Sequence, residues 1–186
     1  MKPIYIFDLD GTLALIEHRR HFVEYPSKAC TVCAGVNRKK CTQCAVLDAG
    51  FKTDWRAFFA ACVDDVPNLP VIKTLQALQR DGAEVWIWSG RSDEVREETI
   101  EWLCKYGCMG KNKGFWLKWF TGAPERFRMR KAGDHQDDVA LKAGWLAEIE
   151  PPEYARLVGV FEDRDRVVKM WRDAGITCFQ VAPGNF

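Results

Sequence analysis

Apolar positions cluster at Ile4-Tyr5-Ile6-Phe7, and the run halts at Asp8-Leu9-Asp10-Gly11-Thr12-Leu13. So short an apolar run, bounded by a glycine-containing turn, predicts a fully buried parallel strand whose C-terminal end carries Asp8 into solvent. Farther on, Pro70 at a first helical position, apolar Val71, Ile72, Leu75 and Leu78, and Gly82 as terminator describe a helix. It feeds a second strand, Glu84 to Trp88, expected to end at Ser89-Gly90-Arg91. Ser92 can cap the next helix, which has an acidic first turn (Asp93, Glu94), apolar Val95, Thr99, Trp102, Leu103 and Tyr106, and a stop at Gly107. Arg126 to Arg130 alternates like a strand, about Asp137 to Ile149 reads as a helix carrying Lys142, and Leu157 to Phe161 is a short apolar strand ending at Glu162-Asp163-Arg164. A helix to Ala174, stopped by Gly175, leads to a last strand over Ile176 to Val181. Strands alternating with helices in this way predict an α/β fold built on a parallel sheet.

Residues 14 to 66 break that rhythm. From His18 to Cys44 neither helical nor strand period is evident, and Phe51 to Cys62 then reads as an amphipathic helix through Phe51, Trp55, Phe58, Phe59 and Cys62. The segment is expected to be a cap inserted after the first strand, lying over Asp8, with the core in residues 1–13 and 67–186. Lys111 to Thr121 is rich in lysine and aromatic residues and carries no clear period, and no internal repeat or low-complexity tail is present.

A chain of 186 residues with 47% hydrophobic content and eight tryptophans can bury a sizeable core, of a size for one domain with an insertion. A net charge of +1 argues neither for nor against a nucleic-acid partner, because a basic groove can be balanced by acidic surface elsewhere. The first strand begins without a leader pattern and no apolar run approaches the ~18 residues of a membrane span, so a soluble, cytoplasmic protein without membrane contact is expected. In that compartment eight cysteines should be thiols or metal ligands. Cys30-x2-Cys33 and Cys41-x2-Cys44 offer four thiolates at a spacing that closes tetrahedrally around Zn²⁺, a structural site with no open position. An iron–sulfur cluster or a redox-active cysteine pair would use the same ligands. Arg38, Lys39 and Lys40 lie between the two cysteine pairs, and His18, Arg19, Arg20 and His21 precede them. They suit either contact with a nucleic-acid backbone or a solvated basic loop. Trp116 and Trp119, with Lys111, Lys113 and Lys118, suit either a stacking platform or core packing.

Asp8 and Asp10, two apart across a turn, can both face one phosphate, the first attacking phosphorus and the second handling the leaving-group proton. The same residues also describe a plain acidic turn after a strand. The decapeptide Ile4 to Leu13 resembles the first motif of the haloacid dehalogenase-like (HAD) phosphohydrolases, a Rossmann-like fold in which the first Asp is the nucleophile and the second the general acid/base. That resemblance requires three further motifs, in order, and the chain offers each. Ser89, in isolation an N-cap, stands with Gly90 where a strand end, backbone N–H groups and a helix N-terminus can hold phosphate oxygens. Lys142, in isolation a solvated helical lysine, takes the place of the cation between nucleophile and phosphoryl group. Glu162-Asp163 supplies the acidic pair, so that Asp8, the Asp10 backbone carbonyl and Asp163 would hold Mg²⁺, with Thr12 beside the phosphate.

A narrower resemblance covers residues 3–13 and 67–186: Met129 to Asp138, Lys142, Glu162 to Arg172 and Ile176 to Ala182 look like the 3′-phosphatase domain of bacteriophage-type polynucleotide kinase–phosphatases. It implies hydrolysis of 3′-phosphates on DNA or RNA ends, Arg91, Arg130 and Arg164 as phosphate and substrate arginines, and the host cytoplasm if the chain is phage-encoded. No Gly-x-x-x-x-Gly-Lys-Ser/Thr occurs in the sequence, so the ATP-binding kinase half is expected to be missing, and a separate kinase or ligase chain is one candidate partner that the sequence leaves open. Glu162 stands where an aspartate is expected, Gln136 where such enzymes carry Arg, and the cap has no counterpart. A phosphatase of nucleotides or other small phosphomonoesters shares the same motifs, and a zinc-bearing nucleic-acid-binding adaptor on an idle core is the reading from another class.

Overall fold

Five parallel strands in the order β5-β4-β1-β6-β7 form the centre of the molecule. The structure, a computed structural model, describes residues 1–33, 38–109, 118 and 122–184. In chain order the strands are β1 (Ile4–Phe7), β2 (Ala14–Leu15), β3 (Val66–Pro67), β4 (Glu84–Ser92), β5 (Phe127–Arg130), β6 (Leu157–Glu162) and β7 (Cys178–Gln180). The helices are α1 (Thr42–Leu47), α2 (Trp55–Ala60), α3 (Leu69–Arg80), α4 (Arg96–Lys105), α5 (Asp138–Ala147), α6 (Pro151–Tyr154) and α7 (Asp165–Asp173).

Strand periodicity divides the core into two layers. Ile4 and Ile6 of β1 with Trp86 and Trp88 of β4 pack against Val167, Val168 and Trp171 of α7. Phe7, Val85 and Ile87 point the other way, onto Val71, Ile72 and Leu75 of α3 and Ile100, Trp102 and Leu103 of α4. Aromatic rings join the strands: Phe161 stacks between Phe7 at 4.3 Å and Phe179 at 4.9 Å, centroid to centroid. Burial on both faces accounts for the unbroken apolar runs in the sequence, since each central strand has no solvent side to mark.

Beyond β1 the chain turns at Gly11 and enters the segment from 14 to 66 through a two-stranded neck, where Ala14 pairs with Pro67 and Leu15 with Val66, antiparallel. Asn68 closes the neck, donating from its backbone N–H to Leu13 and from Nδ2 to the Thr12 carbonyl. Within the segment the described residues form 3₁₀ turns at Glu17–Phe22, Pro26–Ala29, Arg38–Lys40 and Ala61–Asp64, with α1 and α2.

Several expectations need adjustment. β4 runs on to Ser92 instead of ending at Ser89, because β5 pairs with it up to Ser92 across an irregularity. Ser92 then caps a 3₁₀ turn at Asp93–Val95, accepting from the Glu94 amide, and α4 begins only at Arg96. The helix expected from Phe51 to Cys62 shrinks to α2, because the Asp54 carboxylate accepts from the Ala57 amide and fixes the start there. Phe51, ahead of that cap, packs on Tyr25 instead. Asp8 is not carried into solvent: its residue exposure is 5%.

Candidate active site

The C-terminal ends of four adjacent strands meet in one cavity of about 650 Å³. β1 brings Asp8 and Asp10 there, β4 Gly90, Arg91 and Ser92, β5 Arg130, and β6 Glu162 with Arg164 just beyond it, while α5 adds Asp138 and Lys142. Parallel strands place their C-terminal ends on one side of the sheet, which is why residues from 8 to 164 can share a site.

At its base Lys142 donates to Asp8 Oδ1 at 2.5 Å and to Glu162 Oε2 at 2.6 Å. Glu162 Oε1 accepts from the backbone N–H groups of Asp163 and Arg164 at 3.2 Å each. Asp163 accepts from the Thr12 hydroxyl at 3.4 Å. Gly11 has φ +89, and a Cβ there would lie 2.1 Å from Asp163 Oδ2, so only glycine lets the loop after β1 and Asp163 come together. Carboxylate oxygens of Asp8, Glu162 and Asp163 lie within 4.8 Å of one another, all buried. Burial, then the neighbouring Glu162, raises the Asp8 carboxyl well above its ordinary value and Asp163 to about 7, with Lys142 opposing both. Burial disfavours the Lys142 ammonium, but Asp8, Glu162 and Asp138 outweigh it and push its pKa up. Three crowded carboxylates against one ammonium fit a divalent cation with oxygen ligands, which would supply the missing positive charge.

Asp10 stands in a different field. Its Oδ1 accepts from Arg19 at 2.9 Å and from two nitrogens of Arg91, and the same two arginines bind Asp65, Arg19 Nε at 2.6 Å and the Arg91 guanidinium at 2.5 Å. Burial alone would raise the Asp10 carboxyl, yet Arg91 and Arg19 overcome it and hold it at about 2. The expectation that Arg91 offers its fork to phosphate needs correction. It is 1% exposed, and its guanidinium is spent on Asp10, Asp65 and the Thr99 hydroxyl. Arg19, grouped from sequence with the basic residues ahead of the cysteines, is fully buried and stacks over Phe58 at 4.2 Å.

Across the cavity Asp138 bridges Arg130 through Oδ1 and Arg164 through Oδ2. Arg130 also donates to the Gly90 carbonyl at 2.9 Å and the Gln136 carbonyl at 2.7 Å, which ties the β4 turn to the loop before α5. A Cβ on Gly90 would come 2.6 Å from Asp138 Oδ1. Ser89 lies fully buried behind this turn, its Oγ accepting from the Arg91 amide at 3.1 Å.

Sequence reasoning missed Arg19, Asp65 and Asp138. Asp138 carried a faint signal, an acidic residue in a helix's first turn shortly after Arg130. Arg19 and Asp65 are 46 residues apart at the two ends of the insertion, and no local pattern links them.

In the insertion Cys30, Cys33, Cys41 and Cys44 bring their sulfurs within 4.8 Å of one another, and none is in a disulfide. Zn–S bonds of about 2.3 Å imply tetrahedral S···S edges of about 3.8 Å. The observed Cys30–Cys41 and Cys33–Cys44 separations are 3.9 and 3.3 Å, so the four thiols could hold such an ion. Lys39 and Lys40 nearby are exposed, while the side chain of Arg38 lies outside the described residues, as do Lys111, Lys113, Trp116 and Trp119, which suit either a stacking platform or core packing. Among the described residues no helix is long and apolar enough to cross a membrane.

A model of the polynucleotide kinase PNKP phosphatase domain matches residues 52–186, a stretch that includes Ser89, Lys142 and Asp163 and starts after Asp8 and Asp10, inside the segment read as an insertion. Among solved structures, a chain of the Pnkp1/Rnl/Hen1 complex is 25% identical with a TM-score of 0.65, and covers 100% of this chain and 48% of its own. A chain of the Pnkp1/Rnl/Hen1 RNA repair complex is 26% identical, also at 0.65, covering 100% and 44%. The chain thus spans about half the length of these relatives. CbbY from Rhodobacter sphaeroides, solved with phosphate, is 20% identical at a TM-score of 0.51 over 100% of this chain and 88% of its own, and shares the fold.

Proposed function

The chain belongs to the polynucleotide kinase PNKP phosphatase domain family, and on that premise we propose that this HAD-type phosphatase removes 3′-phosphates from polynucleotide ends through an aspartyl-phosphate on Asp8. One observation carries the reading: Asp8, Lys142, Glu162 and Asp163 converge at the strand ends, with Asp10 held two residues away in an arginine clamp.

An Asp8 carboxylate oxygen attacks phosphorus, and the bond from phosphorus to the 3′ oxygen breaks. Asp10 gives that oxygen its proton, and in the second half takes a proton from the water that releases phosphate from Asp8. The arginine clamp favours ionised Asp10, the form the second half uses, while a phosphate dianion beside it raises its affinity for the proton the first half needs. Lys142 neutralises charge between Asp8 and the phosphoryl oxygens. Ser89 and Gly90 shape the turn that faces phosphate, Thr12 steadies Asp163, and Arg91 positions Asp10. Arg130 and Arg164, bridged by Asp138, face the substrate. Asp8, the Asp10 carbonyl and Asp163 would hold Mg²⁺, with Glu162 beside them, and when bound it supplies Lewis-acid stabilisation of the phosphoryl oxygens. The four cysteines hold structural zinc, and residues 14–66 act as a cap over Asp8. RNA is a substrate consistent with the RNA repair complex that contains one relative, and other chains of that kind are candidate partners.

Phosphate release from a 3′-phosphorylated oligonucleotide, a 5′-phosphorylated one and a mononucleotide tests this. Turnover should be confined to the first. Equal or faster release from the mononucleotide would turn the reading to a small-phosphomonoester phosphatase.

A further inference from the structure

Helix α2 does not bury its aromatic residues uniformly. Phe58 is buried and lies under the Arg19 guanidinium, which in turn binds Asp10. Trp55 is 51% exposed, and with Phe59 and Arg56 it forms part of the wall of the cavity that holds Asp8. The Trp55 and Phe59 rings lie 5.9 Å apart with 32° between their planes. Both ends of this unit are anchored: Asp54 caps the helix and its amide donates to the Phe22 carbonyl at 2.8 Å, while Phe58 is clamped on Arg19. An aromatic side chain is therefore held, half exposed, in the wall of the same cavity that Asp8, Asp10 and Glu162 line. Lys131 and Arg166 also line this cavity, where they can meet the backbone of a strand.

An exposed indole face gains from being covered, and every nucleobase has a π-face that can cover it. Resting on the proposed polynucleotide 3′-phosphatase activity, we infer that Trp55 stacks on the base of the 3′-terminal nucleotide while its phosphate sits at Asp8, so the substrate is recognised as a base-bearing end. Stacking reads a ring face and no hydrogen-bond edges, so purines bind more tightly than pyrimidines and base identity is otherwise ignored.

The test is a cycle between protein and substrate. KM is measured for two oligonucleotide 3′-phosphates, one with a normal terminal nucleotide and one whose terminal sugar lacks a base, using wild type, Trp55→Ala and Trp55→Phe. Stacking of a base on an aromatic side chain predicts that in wild type the abasic substrate has a KM higher by roughly tenfold or more. In Trp55→Ala that ratio should fall to about one, and Trp55→Phe should keep most of it. A structural role for Trp55 would lower activity on both substrates and leave their ratio alone, so an unchanged ratio in Trp55→Ala overturns the inference. Turnover of neither 3′-phosphate by wild type would overturn the proposed activity itself, and this inference with it.

Discussion

The sheet with its helices and the segment between residues 14 and 66 are ordered by different forces. In residues 1–13 and 67–186 buried apolar side chains line both faces of a parallel sheet, and each of the helices α3, α4 and α7 buries a stripe against it. Between residues 14 and 66 the described buried side chains are few: Ala14, Ile16, Phe58 and three cysteines are joined there by Arg19, Ser27 and Asp65, which are polar or charged. Short 3₁₀ turns replace long elements, and the order comes from the clustered cysteines, from Asp48 accepting from the Ser27 amide and hydroxyl, and from the ion pair of Arg19 with Asp65. The lesson is that a small segment with little apolar core can be as specific as a sheet, provided its polar groups are partnered. Arg19 joins the two regimes, since it lies in the segment after the first sheet strand and holds Asp10 beside that strand's end.

Breaking the core's chemistry should have the largest effect. Asp8→Asn is expected to lower kcat by roughly three powers of ten or more, because an amide does not attack phosphorus. Its melting temperature should hold or rise, since the change relieves a crowded carboxylate and Lys142 keeps Glu162. Turnover near wild type would remove Asp8 as nucleophile.

Next in size is the separation of the two regions. Cys33→Ser or Cys41→Ser should abolish metal binding, measured by elemental analysis, and unfold the insertion while the sheet survives by circular dichroism. A metal-free preparation with protease-resistant residues 14–66 would refute the cluster as the source of order.

Arg19→Ala strikes the junction. It strips Asp65 of its bidentate partner in a buried site and should cost about 3–5 kcal/mol in denaturant titrations. It also changes the acid limb. Asp10 titrates at about 2 when folded, below the ordinary ~3.9, so it contributes stability above that ordinary value that is lost as pH falls toward 2. With one arginine gone the depression shrinks, less of this stability exists, and acid unfolding should begin at higher pH. An unshifted acid transition would mean that Arg91 alone sets the field at Asp10.

The smallest effect is expected at the surface. Replacing the exposed Lys39 and Lys40 by Ala should raise KM for an oligonucleotide 3′-phosphate modestly and flatten its log–log salt dependence by about 0.7 for each phosphate that is no longer neutralised. Unchanged kinetics would make this a solvated loop.

The same contrast explains what can be read from the sequence. Sheet strands announce themselves as Ile4–Phe7, Glu84–Trp88 and Leu157–Phe161 because burial on both faces leaves continuous apolar runs, and strand ends then locate Asp8 and Asp163, whereas Ser89 lies inside a strand that continues to Ser92. Lys142 is legible from its place between strands. What stays hidden depends on contacts between distant residues: the Arg91–Asp10 pair of the Arg19–Asp65–Arg91–Asp10 cluster spans 81 positions, and ion pairing has no period. Trp55 escapes for another reason, since aromatic residues at helical spacing look alike whether they face a core or a cavity. Arg91 shows the same limit, because residue type alone does not say whether a guanidinium meets a phosphate or a carboxylate.

Borohydride trapping during turnover tests the central claim most directly, since it reduces an acyl phosphate to an alcohol. With an oligonucleotide 3′-phosphate present, residue 8 should be converted to homoserine, identified by peptide mass spectrometry, and with the matching 5′-phosphate it should remain aspartate. Phosphate release from the 3′ end without any conversion at Asp8, or conversion at another carboxylate, would contradict the account.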